Sequence, residues 1–200
     1  FYCPTCHILT VVRNMKKLIT IIFILLFSQV NGQSIESNKL KNALIELTKD
    51  GNINNQKAYF ELFPGSFDSF LKMFGFKDGK GAPLYDGFEY VQALFALDSI
   101  SETQQMKKWI NISINGYWEA DAVNYFQHNL RPVVLKKTDL AYELLKNCTD
   151  KEIESFFYFF FNEIHPQYEE IPSEFKKLKD VDEKFYNHLL SGHKRALKDS

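Results

Sequence analysis

Apolar residues recur along most of this chain at helical intervals. Leu40, Leu44 and Leu47 fall three and four residues apart and predict a helix over 36–49, which Asp50-Gly51 closes. A short helical segment over 57–62 must break at Phe63-Pro64-Gly65, because proline has no N–H to give and its ring clashes with the preceding turn. Ser66 can cap the next helix, in which Phe67, Phe70, Leu71 and Phe74 share a face and Gly75 provides the stop. Lys77 to Pro83 reads as a loop. Leu84, Phe88, Val91 and Phe95 then predict an amphipathic helix as far as about Asp98.

Ser101 and Gln104 have the spacing of a capping box and open a further segment. Its end, Ile110 to Asn115, alternates apolar and polar residues as a strand would, and Asn115-Gly116 could turn a hairpin. No partner strand flanks it, and a lone strand is not stable, so the segment is read as helix ended by Gly116. Trp118 to Leu130 predicts another helix, with Trp118, Ala122, Tyr125 and Phe126 on one side and Arg131-Pro132 as its stop. Leu140, Ala141, Leu144, Leu145 and Cys148 form one stripe. Thr149 and Glu152 form a second capping box, which opens the helix carrying six successive aromatics, Phe156 to Phe161.

Six aromatics in a row cover every side of a helix, so this one must be surrounded by others. It is too short and too acidic, with Glu152, Glu154 and Glu163, to span a membrane. Phe175, Leu178, Val181, Phe185 and Leu189 mark the last amphipathic helix, before a basic, polar tail. The pattern predicts an all-α fold: a compact array of about eight or nine short helices around an aromatic-rich core, for which stacked antiparallel pairs suit the spacing.

The first 32 residues do not share this pattern. Met15-Lys16-Lys17 is basic, Leu18 to Phe27 is apolar, and Val30-Asn31-Gly32 supplies modest residues before a cut, the order of a secretory signal peptide over 15–32. Ten apolar residues rise about 15 Å as helix, half the thickness of a hydrocarbon core, so no stable membrane insertion is expected after cleavage. The mature product is expected to be periplasmic or secreted and to form one helical domain over 33–200. The short Lys-Lys leader suggests a bacterial source. In a eukaryotic pathway, Asn111-Ile112-Ser113 and Asn147-Cys148-Thr149 would be glycosylation acceptors.

Cys3-Pro4-Thr5-Cys6-His7 matches the haem-attachment pattern C-x-x-C-H, but it precedes the leader. The chain starts at Phe1, and residues 1–14 are read as an upstream extension, on the side of the leader that does not cross the membrane. Neither haem nor a zinc site shared with Cys148 is expected there.

Charge narrows the classes further. Three of the 24 basic residues and none of the 25 acidic ones precede residue 33, so the mature chain is mildly acidic. It lacks the cationic excess that a phosphate backbone demands, and nucleic acid is not an expected partner. Of the 19 Phe, only Phe1, Phe23 and Phe27 precede residue 33, so the aromatic payload belongs to the core. With Cys148 alone in the mature part, no internal disulfide can form.

Candidate chemistry is sparse. Asp50 to Glu61 places oxygen side chains at positions one, three, five and twelve of an EF-hand-like loop, but Asn55 replaces the turn glycine and Pro64 truncates the exiting helix. A helix-terminal turn of residues tolerating left-handed backbone is preferred. Asp78-Gly79-Lys80-Gly81 lacks the length and the terminal Lys-Ser/Thr of a phosphate loop. His128, His165, His188 and His193 show no ligand spacing, Cys148 lies on an apolar stripe, and no Gly-x-Ser-x-Gly elbow occurs. No catalytic residue, metal ligand or cofactor is therefore assigned.

The binding candidates are Trp118, Glu119 and Asp121, an aromatic beside acids that could hold a sugar or a cationic group, together with Asp86, which lies with Glu89 between Tyr85 and Tyr90. Acids at a helix start and an inward Trp would look the same. These features favour an exported, non-catalytic protein that recognises another protein, such as an inhibitor or immunity protein. A hydrolase using Glu119 and Asp121 on envelope sugar or peptide, and an envelope scaffold, are the alternatives.

Overall fold

A computed structural model describes residues 35–119, 121–164 and 168–199. The CPTCH segment, the leader and the His165-Pro166 loop lie outside the described residues. The chain is mostly helical, as its periodicity requires. Helix α1 covers 35–49. It is followed by α2 (Ile53–Leu62), α3 (Phe67–Phe74), a two-stranded ribbon of β1 (Phe76–Lys77) and β2 (Lys80–Gly81), α4 (Phe88–Phe95), α5 (Glu102–Ser113) and α6 (Asp121–Lys136). The remaining helices are α7 (Thr138–Leu145), α8 (Asp150–Phe161), α9 (Ser173–Lys176), α10 (Leu178–Val181) and α11 (Glu183–Asp199).

Helix α8 is the hub. Phe156, Phe157, Tyr158, Phe159, Phe160 and Phe161 are all buried, so the six-aromatic run is enclosed on every side as its composition demands. Phe159 meets Phe67 and Phe126, at ring-centroid distances of 5.7 and 6.2 Å. Phe157 turns the other way, to Phe175 and Phe185 at 5.5 and 5.7 Å. One cluster of buried apolar residues therefore runs from Leu40 to Ala196 through this helix. The most extensive helix pairing is α8 with α11. Gly192 permits it, because a Cβ there would lie 2.5 Å from the Glu154 carbonyl oxygen.

The C-terminal end of α8 is buried, where its last carbonyls cannot reach water. Side chains of α6 satisfy them: Gln127 Nε2 donates to Phe159 O at 2.6 Å and Asn162 O at 2.9 Å, and Arg131 Nε donates to Phe160 O at 2.8 Å. Arg131 also pairs with Glu163 at 2.8 Å in the interior. Gln127 and Arg131 lie four residues apart and can serve one helix end only if α6 is continuous through them. That is why the stop expected at Arg131-Pro132 does not occur. Pro132 sits inside α6, which runs to Lys136.

Other boundaries move for similarly local reasons. Helix α2 starts at Ile53 rather than 57, because the Asn52 side chain accepts from the N–H groups of Asn54 and Asn55. The supposed calcium loop is thus the N-cap of α2 and not a left-handed turn: Asn52 has φ −61°, and Asn55 Nδ2 donates to the carbonyls of Glu46 and Asp50. Helix α4 starts at Phe88, not Leu84, because Asp86 and Gly87 adopt φ of 77° and 63°. The segment ending in Ile110 to Asn115 is helical through Ser113, and Asn115 leaves it at φ 61°. The expected final helix is broken into α9, α10 and α11, and the basic tail is the last part of α11, with Ala196 in the core.

Lys77 to Pro83, read as a loop, contains the ribbon. Asp78 and Gly79 have φ of 52° and 75°, the double left-handed geometry of the tight turn that matches strand twist.

Candidate functional site

Between α5 and α6 the chain turns at Ile114-Asn115 and then crosses the face of α8. Asn115 N–H donates to Ser155 Oγ at 2.6 Å, and Trp118 N–H donates to Asn162 Oδ1 at 2.7 Å. Gly116 is required between them, since a Cβ there would fall 2.4 Å from the Phe159 ring. Held at both ends, this segment sends Trp118 toward a depression lined by Asn162, Glu163 and Ile164. Glu119 points to a different cleft, next to the ribbon. Trp118 is therefore not in the helix predicted for it, and the aromatics lining the cleft with Glu119 are Phe76 and Tyr117.

The three candidate acids converge on the ribbon and the turn that follows it. Glu119 Oε1 accepts the Phe76 N–H at 2.9 Å, anchoring β1 to the start of α6. Its second oxygen, Oε2, is buried and makes no hydrogen bond among the described residues. Asp121 Oδ2 accepts the Tyr85 hydroxyl at 2.9 Å. Asp86, far from the other two in sequence, lies close enough to Tyr125 for its charge to act on the phenol. The hydrogen bond to Asp121, with the negative charges of Asp86 and Glu119 nearby, raises the Tyr85 pKa. Partial burial followed by Asp86 does the same for Tyr125. Both phenols are thus favoured in the neutral form, and that of Tyr85 donates to its carboxylate.

These pairs orient a set of rings at the surface. Phe76 packs on Tyr85 at 5.3 Å, and Phe88 meets Tyr125 edge-on at 5.1 Å. Phe76 is 46% exposed, Tyr85 41% and Phe88 52%. Tyr85 is braced by the ribbon: Gly81 lies so close to it that a Cβ would be 2.7 Å from the tyrosine Cβ. The result is an aromatic face edged by Asp86 and Asp121. The acids were legible as candidates, whereas Phe88 and Tyr125 were expected on the apolar stripes of their helices and Phe76 carried no signal beyond aromaticity; Phe88 is instead exposed because α4 begins only at that residue.

The other singled-out residues have structural tasks. His193 is buried, bonded to Tyr168 O at 2.9 Å and packed on the Phe161 ring at 4.6 Å. His188 Nε2 lies 3.4 Å from Asp150 Oδ1. Burial raises the pKa of the Cys148 thiol, with the Glu152 charge adding to it, which keeps the thiol protonated and unreactive. Among the described residues no cluster of three His, Cys, Asp or Glu side chains could hold a metal ion, and no helix is long and apolar enough to cross a membrane. Comparison with protein-family models, with curated proteins and with solved structures finds no match.

Proposed function

We propose that this chain is exported and acts by non-catalytic recognition of another protein, in the manner of an inhibitor or immunity protein. The observation that supports this reading is the exposed face of Phe76, Tyr85 and Phe88 with its acidic edge. Rings left half in water are the residues that dominate binding energy when a partner covers them, and fixing them beforehand lowers the entropy lost on association. The Tyr85–Asp121 hydrogen bond and the packing of Phe76 on Tyr85 and of Phe88 on Tyr125 provide that fixing. The acids at the edge select a partner whose apolar contact is ringed by Lys and Arg.

The same hydrogen bond weighs against hydrolysis. Asp121 is already engaged with Tyr85 and does not line the cleft that Glu119 lines, so the two do not face each other across one substrate site. The test is capture from the periplasmic or secreted fraction of the source organism by the purified protein, with mass spectrometry of what is retained. The expected result is one stoichiometric protein, retained by the parent and by a control altered at exposed Lys41, and lost when Phe76, Tyr85 and Phe88 are all serine. Equal retention by the triple variant would refute the assignment of the face.

A further inference from the structure

Beside the ribbon lies a cleft of about 650 Å³, a volume in the range of small-molecule sites. Its wall includes Lys77 and Lys80 from the two strands, Phe76 and Tyr117 as aromatic surfaces, and the Asp68–Lys72 ion pair at 2.6 Å. The register sets Lys77 directly opposite Lys80. Like charges facing each other across a ladder destabilise it, and a ribbon of two residues per strand has little pairing with which to offset that. No ion pair involving Lys77 or Lys80 occurs among the described residues.

The arrangement is held from outside instead. Glu119 takes the Phe76 N–H, Ala82 N–H donates to Gly75 O at 2.8 Å, and Leu84 N–H donates to Met73 O at 2.9 Å. The body of the protein thus presents two adjacent unneutralised ammonium groups at the mouth of a cleft with half-exposed rings, 46% for Phe76 and 45% for Tyr117. Of the acids in this wall, Asp68 is paired with Lys72 and Glu119 is engaged with the Phe76 N–H, so neither forms an ion pair with Lys77 or Lys80, and an anion completes the site.

We propose that this cleft binds an acidic saccharide: Lys77 and Lys80 hold its carboxylates, and Phe76 and Tyr117 pack on the apolar C–H faces of its rings. A phosphate backbone is disfavoured because its closely spaced charges call for a broad cationic surface, and the chain has a net charge of −1. An acidic peptide would match the lysines but would leave the rings without a flat apolar partner, and two-residue strands are too short to add a third. The proposal shares Phe76 with the protein-recognition face but rests on Lys77 and Lys80, so a variant of the lysines that leaves the rings in place separates its failure from the failure of that reading.

The test is calorimetric titration of the full chain at low ionic strength with tetragalacturonate, maltotetraose and tetraglutamate. Saturable binding of tetragalacturonate is expected, with no binding of the neutral sugar and weaker binding of the peptide. The Lys77→Gln/Lys80→Gln double variant should weaken tetragalacturonate binding by about tenfold or more, as expected for losing two charge-assisted contacts. Its thermal midpoint should equal or exceed that of the parent, because the like-charge pair is gone. Tyr117→Ala should also weaken binding. Absent saturation, equal affinity for tetraglutamate, unchanged affinity in the double variant, or a lowered midpoint of that variant would each overturn the proposal.

Discussion

Replacing Gly192 by alanine sets two effects of known sign against each other. Alanine in a helix interior is favoured over glycine by roughly 1 kcal/mol, so propensity alone predicts a more stable protein. At Gly192, however, the added Cβ would stand 2.5 Å from Glu154 O, 2.8 Å from Tyr158 N and 2.9 Å from Phe157 Cβ. The first two are backbone atoms of α8 and cannot swing aside, so α8 and α11 must separate along their contact. Overfilling a packed interior costs about 1–3 kcal/mol, and contacts this short belong at the upper end. The net expectation is a loss of about 1–2 kcal/mol after the propensity gain. Urea unfolding followed by far-UV circular dichroism reads it directly, as a midpoint lowered by roughly 0.5–1 M with the slope unchanged. Ser191→Ala, one residue away and exposed, should change stability by less than about 0.5 kcal/mol. A Gly192→Ala protein as stable as the parent would show that the two helices do not meet at this glycine.

The close crossing at Gly192 was invisible in the sequence, where nothing marks that glycine as a point of helix contact. Periodicity was sufficient for the helices and for the enclosure of Phe156 to Phe161, because a side chain's face follows from spacing alone. Boundaries set by distant groups were not legible. Pro132 looks like a stop until the buried carbonyls of Phe159 and Phe160 require Gln127 and Arg131 on one unbroken helix. The Asp78-Gly79 turn signal was present, but its flanking strands are too short to show alternation. For the site, sequence proximity suggested Trp118 as the platform for Glu119 and Asp121. The backbone through Gly116 instead directs Trp118 and Glu119 to different clefts, and Asp121 meets Tyr85, 36 residues away in sequence.

Three further outcomes follow from the same geometry. Arg131→Met should destabilise the protein by about 3–5 kcal/mol in urea unfolding, since Glu163 loses a buried partner and the Phe160 carbonyl its donor. Lys108, whose ammonium caps the carbonyls of Phe60 and Phe63, has its pKa pushed down by burial to about 8, and Glu61 offsets this only in part. The unfolded chain therefore binds the extra proton between about pH 8 and the ordinary lysine value near 10.5, so Lys108 makes stability rise with pH across that window. Lys108→Met should remove the rise, and NMR titration of the lysine Cε should place the midpoint well below those of the exposed lysines. Ultraviolet titration of the tyrosines should show Tyr85 ionising above the usual phenol range, and Asp121→Asn should move it back down; an unmoved Tyr85 would exclude the hydrogen bond that orients the ring.

The claim that the ribbon-side aromatic face is a protein-recognition surface is tested most directly by measuring the dissociation constant of the captured partner for single-site variants. Phe88→Ala and Tyr85→Ala should each weaken binding by about tenfold or more, as central aromatic contacts do. Asp86→Asn should chiefly slow association and reduce its dependence on salt, as an acid at the edge would. Affinities within about twofold of the parent for both ring variants would place the recognition surface elsewhere and contradict the account.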